Sequence, residues 1–343
     1  MKKVKIIGTS FLRNEGGVSD MNNIFFNYIS KYISVDKIDI MNEARNRFGN
    51  VNNTLARNLE LLFLRHLIHD ENIHVMHTLD LCNTIPFFDI SSTARSKIIT
   101  VHDFYPFIHS GNIHLINRLD NFFKRRCYKY ISSYDHIFAR TEEIAKILTQ
   151  NFNIDFKKIS IQGPIIENIY SPIERFRKHE KIRIGYINSF SWNKAPMLKA
   201  FINFIKGYKN EDIELIIYGK NFPFEDLIHD DKRIKYLGFL PDSQFIETLS
   251  SFDVYLSTST HEGFSIPIAK AKAMKIPVLC FDGDLPNITK RNTCLWNTET
   301  LSDIIEKREW EKINLDEAYK DIIGLRPEHI VKETLNIYDK IFS

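Results

Sequence analysis

The chain has 343 residues, 43% of them hydrophobic and 26% charged, with a net charge of +3. That length accommodates two ordinary domains, and the composition is that of a soluble globular protein. The small net charge argues against a nucleic-acid partner, no apolar run reaches membrane-spanning length, and the apolar stretch after the basic residues 2–3 is too short for a signal peptide. Four cysteines, Cys82, Cys127, Cys280 and Cys294, show no metal or redox spacing. They are expected of a reduced, cytoplasmic protein.

Residues 4–8 predict a first strand, and a loop containing Gly16 and Gly17 leads into a helix through Ile24, Phe25, Tyr28, Ile29 and Tyr32. Strand, glycine loop and helix open a Rossmann-like unit. No Gly-x-Gly-x-x-Gly is present, which argues against a nicotinamide cofactor. By itself the glycine pair reads equally well as an ordinary strand-to-helix turn. Residues 36–40 predict a second strand, 42–53 a polar loop and 55–68 a helix. Residues 73–77 and 97–101 predict two more strands, the latter running into His102, Asp103, Phe104, Tyr105 and Pro106. A histidine at a strand's C-terminal end sits at the mouth of an open parallel sheet, where ligands bind. Residues 113–132 predict a helix carrying Arg118, Lys124, Arg125, Arg126 and Lys129 among Phe122, Phe123 and Tyr130. It reads as a solvated face, with a membrane-surface face as the alternative. Residues 136–139 predict a strand, Thr141 a helix N-cap, and 159–161 a further strand.

The polar segment 171–181, with Pro172, reads as a linker. The run from Lys181 to Ile187 starts a second domain, followed by a loop ending in Lys194 and a helix through Leu198, Phe201, Ile202 and Ile205. Strands are expected at 213–218 and 234–237, the second leading into Gly238, Phe239, Leu240 and Pro241. Residues 253–278 then read as strand, polar loop, tight turn, helix and strand. Pro267 falls in the first turn of that helix, where its missing N–H costs nothing. A turn of this kind aims free N–H groups and the positive helix end at one point, which suits a phosphate. Gly263 admits close approach, and the Glu262 carboxylate can accept hydrogen bonds from hydroxyl groups. Phosphate and hydroxyls together suggest a nucleotide sugar.

This stretch resembles the signature of the glycosyltransferase family 4 enzymes, Ser-x-x-Glu-Gly-Phe-Gly-x-Pro-x-x-Glu-Ala, ending in a Pro-Val strand. Ser259, Glu262, Gly263, Phe264, Pro267, Ala271, Pro277 and Val278 match it. Ser265 replaces a glycine, and Lys270 replaces the second glutamate, which in the family holds the ribose hydroxyls. The resemblance implies an α/β GT-B fold of two Rossmann-like domains facing across a cleft. An acceptor domain would occupy 1–170, a nucleotide-sugar domain 181–328, and a C-terminal helix, 329–343, would cross back to the first. It implies that Glu262 and His102, with Asp103 beside it, position the donor sugar. Gly16 and Gly17 would lie near the donor phosphates and the acceptor. Lys194 would clamp the diphosphate, with Gly263, Phe264 and Ser265 in the phosphate turn and the Phe239 loop on the nucleobase. Ser189 stands where the family often has arginine, and Lys270 restores a positive charge to the same expected pocket.

The activity implied is transfer of a hexose-type sugar from a nucleotide diphosphate sugar to a hydroxyl acceptor, with retention and with neither metal nor cofactor. The acceptor would be a glycan, lipid-linked or protein-linked, and a lipid-linked one would suit peripheral contact with the inner membrane face. Lys270 and Ser189 leave open a weak or inactive sugar-nucleotide-binding relative. A GT-B sugar-nucleotide epimerase is the other alternative.

Overall fold

Apolar runs of strand length, buried on both faces, assemble two six-stranded parallel sheets. The structure, a computed structural model, describes residues 3–12, 17–49, 73–80, 94–104, 131–173 and 180–342. The chain divides into two units, Met1–Ile165 with Pro327–Ser343, and Ile166–Arg326.

The first unit contains β1 (Val4–Gly8), β2 (Val35–Asp39), β3 (Ile73–Thr78), β4 (Ala94–Val101), β5 (His136–Ala139) and β6 (Ile159–Ile161). Their order is β2-β1-β3-β4-β5-β6, with Val4 beside Val35 on one side and Val75 on the other. The order reverses at β1, and ligands of open parallel sheets bind at the strand C-termini near such a point. Helix α1 (Gly17–Ile29) follows β1. Helix α2 (Ile40–Phe48) occupies much of the predicted polar loop 42–53. The Asp39 carboxylate caps it by accepting from the Asn42 N–H at 3.0 Å, and Ile40, Met41 and Ala44 are its buried residues. Three apolar contacts and one cap outweigh its polar composition.

Helix α3 (Glu142–Phe152) follows β5, capped as expected by the Thr141 hydroxyl. The C-terminal helix Pro327–Phe342 belongs to this unit. It buries Ile330, Val331, Thr334 and Tyr338, which recur at helical spacing on one face. The Tyr338 hydroxyl lies 2.7 Å from His77 Nδ1, and His77 Nε2 lies 2.8 Å from the Thr100 hydroxyl.

The second unit contains β7 (Ile182–Ile187), β8 (Ile213–Tyr218), β9 (Ile234–Tyr236), β10 (Val254–Ser257), β11 (Val278–Phe281) and β12 (Cys294–Trp296). Their order, β12-β11-β10-β7-β8-β9, is that of a dinucleotide-binding Rossmann sheet. Its core joins Tyr186, Phe201, Trp296 and Trp310. Helix α4 (Ala195–Gly207) follows β7, α5 (Asp242–Ser250) follows β9, α6 (Ile266–Ala273) follows β10, and α7 (Leu315–Ile323) packs on α6. The buried Lys272 on α6 pairs with Asp321 on α7 at 3.1 Å and donates to the Ile288 and Arg291 carbonyls, a structural role.

The division between the units precedes the segment 171–181. The Ile166 N–H donates to the Leu325 carbonyl at 2.9 Å, and Arg326 donates to the carbonyls of Glu167 and Tyr170. These bonds place 166–170 with the second unit. Gly16, Tyr105, Pro106, the predicted helix 55–68 and residues 113–130 of the predicted helix 113–132, with its basic residues, lie outside the described residues.

Candidate active site

In the second unit the strand order reverses between β7 and β10, and the loops after these two strands are sewn together. The Thr260 N–H and hydroxyl both donate to the Asn193 carbonyl, at 2.8 and 3.1 Å. The Asn193 side-chain amide donates to the His261 carbonyl at 2.7 Å, and the Thr258 hydroxyl to the Lys194 carbonyl at 3.0 Å. Partners nearly seventy residues apart thereby hold the Lys194 backbone beside the turn that carries Glu262.

The charges meet within that seam. Lys194 Nζ lies 2.8 Å from Glu262 Oε1 and donates to Asn188 Oδ1 at 2.9 Å. The Ser259 hydroxyl also donates to Glu262 Oε1, at 2.9 Å. Both charged side chains are largely buried, at 14% and 10% exposure. An ammonium has three N–H donors, so one is left beyond these two contacts. Glu262 Oε2 is buried and has no hydrogen-bond partner among the described residues. The Ser265 hydroxyl is in the same condition. Ser265 is the N-cap of α6 in extended conformation, yet its side chain makes no capping bond. The first-turn N–H groups of a helix have no intrahelical acceptor, and Pro267 removes one of them. Leaving a buried polar group unpaired costs about 1–3 kcal/mol, more when it is charged. A ligand hydroxyl on Glu262 Oε2, with an acceptor group against Ser265 and the α6 N-terminus, would relieve that cost.

Lys270 does not stand in open space. Its ammonium lies 4.5 Å from the Tyr170 ring centre and 4.7 Å from that of Phe245. Phe239 is 48% exposed, with the Lys220 ammonium 4.4 Å from its ring centre. Gly238, just before it, has φ +81°, a conformation that favours glycine, and its carbonyl accepts from the Gly219 N–H at 2.9 Å. This glycine turn leaves the Phe239 ring outside the core.

In the first unit, His102 directly follows β4. Its Nε2 lies 2.6 Å from the Leu79 carbonyl, which can only accept, so Nε2 carries the proton. Nδ1 then accepts from Arg140 Nε at 3.3 Å. Enclosure of the ring, with the Arg140 charge beside it, pushes His102 down from an ordinary 6.5 to about 3. The imidazole is therefore neutral, with both nitrogens engaged. Asp103 follows it, half-buried. Gly17 opens α1, and a methyl group added there would meet nothing within 4 Å.

The structure thus brings together Lys194, Glu262, Gly263, Phe264 and Ser265 in one seam of the second unit. His102 and Asp103 stand at the end of β4 in the first unit, and Gly17 opens its helix α1. Asn188, Asn193, Tyr170, Phe245 and Arg140 carry no local motif, and only the folded register places them at these sites.

Comparison with known proteins bears on the fold and on the second unit's domain. Residues 181–308 match the family described as Glycosyl transferases group 1. A curated relative, the phosphatidylinositol N-acetylglucosaminyltransferase GPI3 subunit of Saccharomyces cerevisiae, is 21% identical over 310 residues. That match covers 82% of this chain and 66% of the relative, so the chain spans just under two thirds of the relative's length. Among solved structures, sucrose-phosphate synthase of Thermosynechococcus elongatus superposes with a TM-score of 0.74 at 10% identity, covering 100% and 99% of the two chains. Anabaena HepE in complex with UDP superposes with 0.69 at 13% identity, covering 99% and 100%. The solved structures define the fold, a GT-B architecture, and the match places a glycosyl transferases group 1 domain within it. Within it the chain is similar to family 4, and residues 181–308 form its glycosyl transferases group 1 domain.

Proposed function

We propose that the protein transfers a hexose-type sugar from a nucleotide diphosphate sugar to a hydroxyl acceptor, with retention and without a metal. The observation that carries this reading is the seam of the second unit. A buried carboxylate oxygen of Glu262 lacks a hydrogen donor, and it lies in the same turn as the N-terminus of α6 and beside a lysine with one N–H to spare. A sugar hydroxyl donating to Glu262 Oε2, with phosphate oxygens on Lys194 and the α6 N–H groups, satisfies all three. The Phe239 ring offers a face to the nucleobase, and Lys270, held against Tyr170 and Phe245, completes the donor site. The UDP in the HepE complex and the N-acetylglucosaminyl group in the GPI3 subunit's name make UDP-hexoses and UDP-N-acetylglucosamine the first donors to test.

In the reaction the bond between the anomeric carbon and the phosphate oxygen breaks, and a bond to the acceptor oxygen forms on the same face. The acceptor's proton passes to the departing phosphate oxygen. Lys194 and the helix N-terminus stabilise the charge that grows on the diphosphate, where fixed dipoles are most effective. His102, neutral and fixed in one tautomer by Leu79 and Arg140, takes no proton in this step.

Lys270 in place of a carboxylate favours a second reading, a sugar-nucleotide-binding protein with little turnover. Incubation of pure protein with UDP-sugars separates the readings. The transferase releases UDP slowly by hydrolysis, and faster once an acceptor is supplied. An epimerase would return an isomerised sugar, and a binding protein would return the donor unchanged.

A further inference from the structure

We propose that the first unit receives an oxyanion, a carboxylate or phosphate group carried on the acceptor, against Arg140. This rests on the glycosyl-transfer reading above. Arg140 directly follows β5, and it is 5% exposed. Every contact it makes goes to a neutral group. Nε donates to His102 Nδ1 at 3.3 Å, and Nη1 donates to the carbonyls of Gln162 and Gly163 at 3.3 and 3.0 Å. No carboxylate among the described residues pairs with it, and Nη2 has no partner among them. Burial pushes this guanidinium down to about 9. Buried charges are expected to be paired, because an isolated one loses its hydration for nothing. The position adds to the imbalance. Arg140 immediately precedes Thr141, the N-cap of the eleven-residue helix α3, so its backbone stands at the positive end of a helix dipole.

A buried guanidinium with a free N–H edge is a receptor for an oxyanion. Arg140 is bonded to His102, which stands at the sheet's C-terminal edge where ligands of such sheets bind. The donor diphosphate already has its partners on the second unit, in Lys194 and the α6 N-terminus. The anion at Arg140 therefore belongs to the other substrate. His102 supplies no counter-charge, since an imidazole is neutral or cationic.

Matched sugars test this: glucose, glucose 6-phosphate and glucuronate, titrated into the full chain with and without saturating UDP, with inorganic phosphate as a fourth probe. The native chain is expected to bind at least one charged sugar at least tenfold more tightly than glucose. Arg140→Gln should remove that preference, Arg140→Lys should keep part of it, and UDP affinity should be unchanged in both. Equal binding of the three sugars by the native chain overturns the proposal without any variant. A preference that survives in Arg140→Gln does so too. Inorganic phosphate binding as tightly as glucose 6-phosphate would overturn the acceptor assignment in favour of a free anion. A chain that prefers the charged sugars but ignores UDP would support the Arg140 site and sink the donor reading instead.

Discussion

At the scale of single residues the account turns on Glu262, whose two oxygens do different work. Oε1 is held by Lys194 and Ser259, and Oε2 awaits a donor. Glu262→Gln keeps the shape and one carbonyl acceptor but discards the charge that orients Lys194. We expect turnover to fall by about 100-fold or more, the range for a lost electrostatic group at a reacting centre, with the fold intact. Steady-state kinetics beside circular dichroism check this, and near-native turnover would contradict it. His102→Ala is expected to lower kcat while leaving UDP affinity nearly unchanged, because the ring belongs to the first unit and the nucleotide to the second. An equal loss in both would place His102 wrongly. At Lys270, substitution by methionine retains the stem against Tyr170 and Phe245 and removes the charge. If the ammonium serves the donor, nucleotide-sugar affinity drops by about 1–3 kcal/mol, the scale of a charged hydrogen bond. If it serves only the two rings, calorimetry will show no such loss and stability alone will fall.

At the scale of elements, the central strands were legible because they are buried on both faces and read as plain apolar runs, as in β1 and β8. Helix α2 was not, since its fold-determining features are one Asp39 cap and three inward residues within an otherwise polar stretch. The turn at 262–267 was legible from proline, glycine and glutamate spacing. The seam that places Lys194 beside it was not, because Asn193 and His261 meet only after β7 and β10 pair. The C-terminal helix shows the same division. Its apolar spacing is visible in sequence, whereas the Tyr338 hydroxyl against His77 comes from tertiary packing alone. Tyr338→Phe removes one buried hydrogen bond and is expected to cost about 1 kcal/mol. A shift in the urea midpoint at constant slope measures it. An unchanged midpoint would mean that the bond contributes nothing to docking this helix.

At the scale of the whole molecule, acid is expected to act on the first unit. His77, His102 and His136 all lie below their ordinary 6.5, each chiefly through burial, His102 near 3 and His136 near 4. A base with a depressed folded value is neutral when folded and takes up a proton on unfolding. Its contribution to stability is complete above the unfolded value and is lost as pH falls toward the folded one. Stability should therefore decline between about pH 6.5 and 4, with an uptake approaching three protons on unfolding near pH 5. Urea unfolding across that range checks the slope, and a flat profile would refute it. No helix of the described residues is long and apolar enough to cross a membrane.

The central claim is that the second unit holds a nucleotide sugar, with Glu262 Oε2 gripping the sugar itself. Calorimetric titration of UDP and of UDP-hexoses into the native chain and into Glu262→Gln tests it most directly. The account predicts that the native chain binds one UDP-hexose more tightly than UDP. It also predicts that Glu262→Gln loses that increment while still binding UDP. No binding of either ligand, or an increment that survives in Glu262→Gln, would contradict it.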